Sequence, residues 1–142
     1  MSDRVFLDTN VIIYLYSEDE KEKRDAAYRV LNSNKCVTST QAFNESSNIW
    51  YKKFNFDESQ INQYLNEIEA VCDDIILIQR RTINQALSIK TRYCYSYYDC
   101  LMLASALDGN CRIFFTEDMS DGQLVEDKLK IVNPFSRSRR YP

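Results

Sequence analysis

The chain of 142 residues contains no histidine. That absence removes imidazole as acid, base or metal ligand, and with it every serine or cysteine nucleophile that depends on a histidine partner. Hydrolytic chemistry here has to rest on carboxylates, with a metal ion as the natural ally. Glycine and proline are scarce, two of each, which leaves little material for long irregular loops and predicts a compact, helix-rich chain. Five cysteines (Cys36, Cys72, Cys94, Cys100 and Cys111) make an odd number with no C-x-x-C pair. Neither a disulfide framework nor a zinc site is indicated, and buried thiols are expected. No apolar run approaches the length of a membrane span, and the start, MSDRVFLD, lacks a basic region followed by a long apolar core. The chain therefore reads as cytoplasmic, with no membrane contact.

What is present fits one domain over residues 1–142, ending in a short basic tail from about residue 135. A chain of this length buries about two thirds of its unfolded surface, enough for one core. The formal net charge of −3 argues against a sequence-blind nucleic-acid binder of high affinity, which usually carries a basic excess. Local charge differs from the total. Lys52, Lys53, Arg80, Arg81, Lys90 and Arg92 fall in stretches poor in acids, and the tail carries Arg137, Arg139 and Arg140, so a basic rim around an acidic centre is possible.

The organising stretch is Arg4 to Tyr16, RVFLDTNVIIYLY. Val5, Phe6 and Leu7 favour a strand, whereas Val11, Ile12, Leu15 and Tyr16 share one face of a helix, so Asp8, Thr9 and Asn10 sit at a strand-to-helix crossover. Asp8 or Asn10 can simply cap that helix. A charged amphipathic helix follows over Glu18 to Asn34, then a short strand, CVTS, and a helix from Thr40 to Phe54 that carries Glu45 within its first two turns. Asp57 to Asp73 is a further helix expected to bury Ile61, Tyr64, Leu65, Ile68 and Val71. The run Asp74 to Ile78 reads as a strand covered on both faces. A helix from Arg80 to Tyr93 should bury Ile83, Ala86 and Leu87, and another starts at Ser96, which with Asp99 has capping-box spacing, and stops at Gly109. Cys111 to Phe115 and Leu129 to Val132 complete the strands, the first followed by an acidic turn containing Asp118 and Asp121.

This alternation implies a three-layer α/β fold, a mostly parallel central sheet of about four to five strands flanked by helices. Asp8, Glu45, Asp99 and Asp118 all fall near strand ends or helix starts. Each has an ordinary reading as a cap, a solvated helical acid or a turn residue. If they meet in one crevice, four like charges need protons or bound cations, and oxygen ligands in that number select Mg²⁺ or Mn²⁺.

At these residues the chain resembles the PIN-domain metal-dependent ribonucleases, especially the toxins of VapBC-type toxin–antitoxin pairs. The likeness covers nearly the whole chain through four motifs in order: FLDTNVII, FNE, SYYDCLMLASAL and FFTEDMSDG. By position it implies metal-site acids at Asp8, Glu45, Asp99 and Asp118, with Asp121 as an alternative or outer-shell fourth ligand and Thr9, Asn10 and Thr116 as polar support. It further implies an Mg²⁺-dependent or Mn²⁺-dependent endoribonuclease that leaves 5′-phosphate and 3′-hydroxyl ends, a small antitoxin partner and a homodimer.

Lys52, Arg80, Lys90 and Arg92 are candidate phosphate contacts, and Tyr95, Tyr97 or Tyr98 candidates to stack RNA bases, against the plainer readings of solvated surface and packing. Two other enzymatic or signalling readings fit less well. A phosphatase of the haloacid-dehalogenase type wants a second Asp two residues after the first, where this chain has Asn10, and a phosphoacceptor receiver domain wants an acidic pair after its first strand. A catalytically silent PIN-like module that binds RNA or protein is the remaining alternative.

Overall fold

The computed structural model describes residues 3–136. Strand β1 (Arg4–Leu7) lies at the centre, parallel to β2 (Lys35–Ser39) on one side and β4 (Ile113–Phe115) on the other, with Phe6 level with Val37 and Phe114. β3 (Asp74–Ile76) adds in parallel beyond β2, and β6 (Leu129–Val132) in parallel beyond β4. β5 (Leu124–Val125) pairs antiparallel with β6, giving the order β3-β2-β1-β4-β6-β5. Val5, Phe6, Leu7, Val37, Phe114 and Phe115 have no exposed surface. Since neighbouring side chains in a strand point to opposite faces, both faces of the sheet centre are covered.

The covering helices are α1 (Thr9–Leu15), α2 (Lys21–Ser33), α3 (Thr40–Phe54), α4 (Glu58–Val71), α5 (Arg80–Arg92) and α6 (Tyr97–Asp108). α6 buries every residue from Cys100 to Ala106, so beyond its first turn it runs through the core. The start of α5 is tied to the end of α6, where Thr82 Oγ1 donates to Asp108 Oδ2 at 2.7 Å. On α3, Trp50 is buried edge-on between Tyr16 (5.7 Å) and Tyr64 of α4 (5.1 Å), which joins the α3–α4 pair to the end of α1. Gly109 ends α6 without a left-handed angle, which Asn110 supplies at φ 57°. Its value is space: a Cβ there would meet Ile76 Cδ1 and Val37 Cγ1 at 3.1 Å.

Several expectations need correction. Among the described residues the sheet has six strands: β5, only two residues long, is joined to β6 through Glu126, Asp127 and Lys128, the first two at φ 52° and 56°. Asn and Gly are the usual occupants of such left-handed turn positions, and Glu-Asp hides the turn. β3 is shorter than its apolar run and forms the sheet edge, leaving Leu77 63% exposed rather than covered on both faces. On α5 the buried positions are Thr82, Ala86 and Ile89 while Leu87 faces out; on α4 only Ile68 is fully buried and Val71 is exposed. Cys36, Cys100 and Cys111 are buried as expected, but Cys94 is exposed and Cys72 half-buried. Among the described residues no helix is long and apolar enough to cross a membrane. Arg137, Arg139 and Arg140 lie outside the described residues.

Candidate active site

In an open parallel sheet, strand C-terminal ends and the helix starts that follow them border one crevice. Asp8 stands there, directly after β1, with its backbone N–H held by Phe115 O of β4 at 3.1 Å. It is the N-cap of α1, its Oδ1 accepting from Thr9 N at 2.8 Å, so the capping reading is correct as far as it goes. Its other oxygen does something else. Oδ2 accepts from the hydroxyl of Thr116, the residue after β4, at 2.9 Å.

Thr116 is fully buried and its hydroxyl is used to capacity. Besides donating to Asp8, it accepts from Asn10 Nδ2 (2.9 Å) and from Asp118 N (3.2 Å). Asn10 Nδ2 also donates to Asp118 Oδ2 at 3.0 Å, and Asn10 Oδ1 accepts from Glu117 N at 3.4 Å. One threonine and one asparagine thus hold the turn after β4 against the start of α1. On the other side, Thr9 Oγ1 donates to Glu45 Oε1 at 2.9 Å, and Gln41, one helical turn before Glu45, donates to Oε2 at 3.1 Å. Glu45 reaches the crevice because α3 starts as soon as β2 ends, capped by Ser39, whose Oγ accepts from Ala42 N at 3.1 Å.

Asp99 is the third residue of α6, where Ser96 Oγ accepts from its backbone N–H at 3.2 Å. Among the described residues no hydrogen bond joins the Asp99 carboxylate to the Ser96 backbone, so the capping box is only half made and that carboxylate is left for another task. It lies near enough for its charge to act on Asp8, as does that of Glu45. Burial first, then the charges of Asp99 and Glu45, push the Asp8 carboxyl up to about 7 against the opposing pull of its bonds to Thr9 and Thr116.

Among the described residues no three acids stand close enough to grip one ion as they are placed. The case for a cation is electrostatic: Asp8, Glu45 and Asp99 form an oxygen-only group in which the charges of Asp99 and Glu45 bear on the buried Asp8. Such a donor set suits Mg²⁺ or Mn²⁺ and no softer metal.

The remaining sequence candidates are spread more widely. Asp118 is exposed and reaches the group through Asn10, whereas Asp121 Oδ1 accepts from Asn133 N at 2.8 Å, which ties it to the end of β6. Lys52, Arg80, Lys90 and Arg92 are all exposed. Arg80 bonds Asn84, and Arg92 pairs with Glu126 in the β5–β6 turn. Because β6 runs parallel to β4, that turn lies at the opposite end of the sheet from the crevice. A concavity of about 770 Å³ also opens at that far end, beside Asp108, Arg112, Glu126 and Lys128, so cavity volume would misplace the chemistry.

One group escaped the sequence reading. Tyr14 OH donates to Glu117 Oε1 at 2.6 Å, and Lys23 Nζ donates to Glu117 Oε2 at 3.0 Å and lies 4.8 Å from the centre of the Tyr14 ring. Glu117 is thereby neutralised outside the acidic group although it is the neighbour of Asp118. Lys23 comes from a run of charges that looks like any solvated helix face, so no local pattern marks it.

Comparison with known proteins bears on the family and the fold. The PIN domain family model matches residues 5–120, and no curated protein matches by sequence. Among solved structures, the chain is similar to a toxin–antitoxin complex from Klebsiella pneumoniae (TM-score 0.68, 20% identity, 92% of this chain and 97% of that one). It is also similar to Mycobacterium tuberculosis VapC20, a sarcin–ricin loop cleaving toxin (TM-score 0.64, 16% identity, 80% and 91%). A third likeness is to VapBC2 from Rickettsia felis bound to a fragment of promoter DNA (TM-score 0.64, 14% identity, 92% and 98%). Since the family match runs from the strand that delivers Asp8 to just beyond the turn that carries Asp118, this chain belongs to the PIN domain family.

Proposed function

We propose that this protein is a metal-dependent endoribonuclease, the toxin of a toxin–antitoxin pair, acting in the cytoplasm as a homodimer restrained by a small antitoxin. The observation that carries the reading is that Asp8, Glu45 and Asp99, from three elements, come within electrostatic reach of one another: burial raises the Asp8 carboxyl to about 7, and the charges of Asp99 and Glu45 add to that rise. Membership of the PIN family and the likeness in fold to toxins of toxin–antitoxin complexes support the biological half. The whole chain is read as one such domain.

Asp8, Glu45, Asp99 and, as the fourth acid, Asp118 are the residues that would hold Mg²⁺ or Mn²⁺, and Asp121 an outer contributor. When bound, the ion supplies charge neutralisation at the phosphoryl oxygens and an ionised water at neutral pH. The chain's own part is to aim the oxygens: Thr9 holds Glu45, Thr116 holds Asp8, and Asn10 holds Asp118. Lys52, Arg80, Lys90 and Arg92 remain surface candidates for phosphate contacts. Arg92 has to leave Glu126 to serve.

The test is incubation of the purified chain with mixed single-stranded RNAs in Mg²⁺, Mn²⁺ and EDTA. Cleavage with either metal, giving 5′-phosphate ends and lost in EDTA, is the expected result. Undiminished cleavage in EDTA refutes the metal mechanism, and no cleavage of any RNA favours a silent binding module.

A further inference from the structure

We propose that Tyr95 is a positioning residue of the acidic crevice: its hydroxyl ties the start of α6, and with it Asp99, to the turn that carries Asp118. The proposal rests on the nuclease reading above and adds to it what sets the spacing of two acids brought in by different elements.

By sequence Tyr95, Tyr97 and Tyr98 are equal candidates to stack a base, and the structure separates them. Tyr98 is 59% exposed, whereas Tyr95 and Tyr97 are half-buried against the core. The Tyr95 hydroxyl is engaged both as donor and as acceptor: it donates to Gln123 Oε1 and accepts from Ser120 N at 3.2 Å. A ring packed along its body and held at its tip acts as a strut.

Both of its partners belong to one well-fastened turn. Gln123 N donates to Ser120 O at 3.1 Å, with Gly122 between them at φ 91°, so residues 120–123 close a β-turn. Gly122 N donates to Ile131 O at 2.7 Å, Ile131 N to Gln123 O at 2.8 Å, and Asn133 N to Asp121 Oδ1 at 2.8 Å. These bonds fix the turn to β6, where Ile131 is fully buried. Asp118 stands two residues before Ser120.

At its other end Tyr95 leads directly into the helix that carries Asp99. Ser96 follows as the N-cap of α6, its Oγ accepting from Asp99 N at 3.2 Å and its carbonyl from Cys100 N at 3.0 Å. Two residues upstream, Tyr93 OH accepts from Glu126 N at 2.9 Å and donates to Glu126 Oε2 at 3.2 Å, while Cys94 between the two tyrosines is exposed. Alternate side chains of Tyr93-Cys94-Tyr95 therefore follow β5, the outer strand, and the connection enters α6 at a height set by the sheet. The charge of Asp99 bears on Asp8, and like charges separate unless something holds them. A phenol does so without adding charge of either sign.

The experiment compares the full chain with Tyr95→Phe, which keeps the ring and loses the tie, and with Gln123→Leu, which removes the acceptor and keeps the backbone bonds of the turn. Melting in EDTA checks that each variant is folded. Calorimetric titration with Mn²⁺ in the absence of RNA then reads how well the acids are placed. Each variant should bind Mn²⁺ roughly 10-fold more weakly, the usual size for a group that orients ligands, and the double variant should be no worse than either alone. In RNA cleavage kcat should fall with KM unchanged, since phenylalanine stacks a base as tyrosine does. Mn²⁺ affinity in Tyr95→Phe equal to the parent's overturns the proposal and leaves the nuclease reading standing. A raised KM with kcat retained also overturns it, by making Tyr95 a substrate contact. If the parent neither binds Mn²⁺ nor cleaves RNA, the nuclease reading falls and the positioning role falls with it.

Discussion

Asp8→Asn in the metal-free protein tests the electrostatics of the crevice most directly. The Asp8 carboxyl titrates near 7 in the folded chain against 3.8 as the unperturbed value, about three pH units of displacement. At about 1.36 kcal/mol per unit, an ionised Asp8 costs the fold up to about 4 kcal/mol. The folded chain holds this proton more tightly than the unfolded one, so the associated stability is complete below pH ~4 and is lost as pH rises through about 7. Asparagine never ionises and escapes that loss. It introduces a different cost: its Nδ2 faces Thr116 Oγ1, whose two lone pairs already serve Asn10 and Asp118, so one bond is given up at about 1 kcal/mol.

The two terms set a pH-dependent contest. At pH 8 in EDTA the variant should be more stable by about 3 kcal/mol, or roughly 9 °C in melting temperature for a chain of this size. Below a crossing near pH ~4.5 the wild type should lead by about 1 kcal/mol, because only the hydrogen-bond term remains. Saturating Mg²⁺ should then restore the wild type at pH 8, by about 2.7 kcal/mol at a hundred times Kd, while the variant gains less. Thermal melts of both proteins across pH 4 to 8, with EDTA and with Mg²⁺, give the whole comparison. A stability difference that stays flat with pH in EDTA refutes the reasoning, since it means Asp8 ionises freely and the crevice has no need of a cation.

Two more substitutions address the frame around Asp8. Thr116→Val keeps the buried shape but removes the hydroxyl shared by Asp8, Asn10 and Asp118, so urea unfolding should show a loss of about 2 to 3 kcal/mol. Cleavage of RNA should fall roughly 10- to 100-fold in the same variant, the usual cost of removing a group that orients ligands. For Asp99→Ala, melts in EDTA should match or exceed the wild type because a like charge leaves the neighbourhood of Asp8, and added Mg²⁺ should reverse that order. A drop of about 0.5 to 1 kcal/mol, equal with and without metal, would instead make Asp99 a capping residue.

The order of elements was legible because each depends on local pattern. Six helices stand where apolar spacing places them, and the strand around Phe6 announces itself by residues that suit a pleated, covered surface. Asp8, Glu45 and Asp99 were nameable for a related reason: each follows a strand or opens a helix, and parallel topology sends those points to one side. The absence of histidine by itself narrowed hydrolytic chemistry to carboxylates and a cation.

Other features depend on partners far away in the chain, and sequence pattern is silent about those. The run Asp74 to Ile78 reads as a central strand, yet it became an exposed edge because no strand lies beyond it. β5 was invisible because two residues carry no periodicity, and its existence rests on pairing with β6. Glu117 and Asp118 are adjacent acids in one turn. Their separate fates were decided by Lys23 from α2 and Asn10 from α1, 94 and 108 residues away in sequence. Composition and spacing determined which acids this protein has and which end of the sheet receives them. Only the tertiary structure decided which of them is buried among like charges, because the pKa of a carboxyl is set by the solvent and charges around it in space.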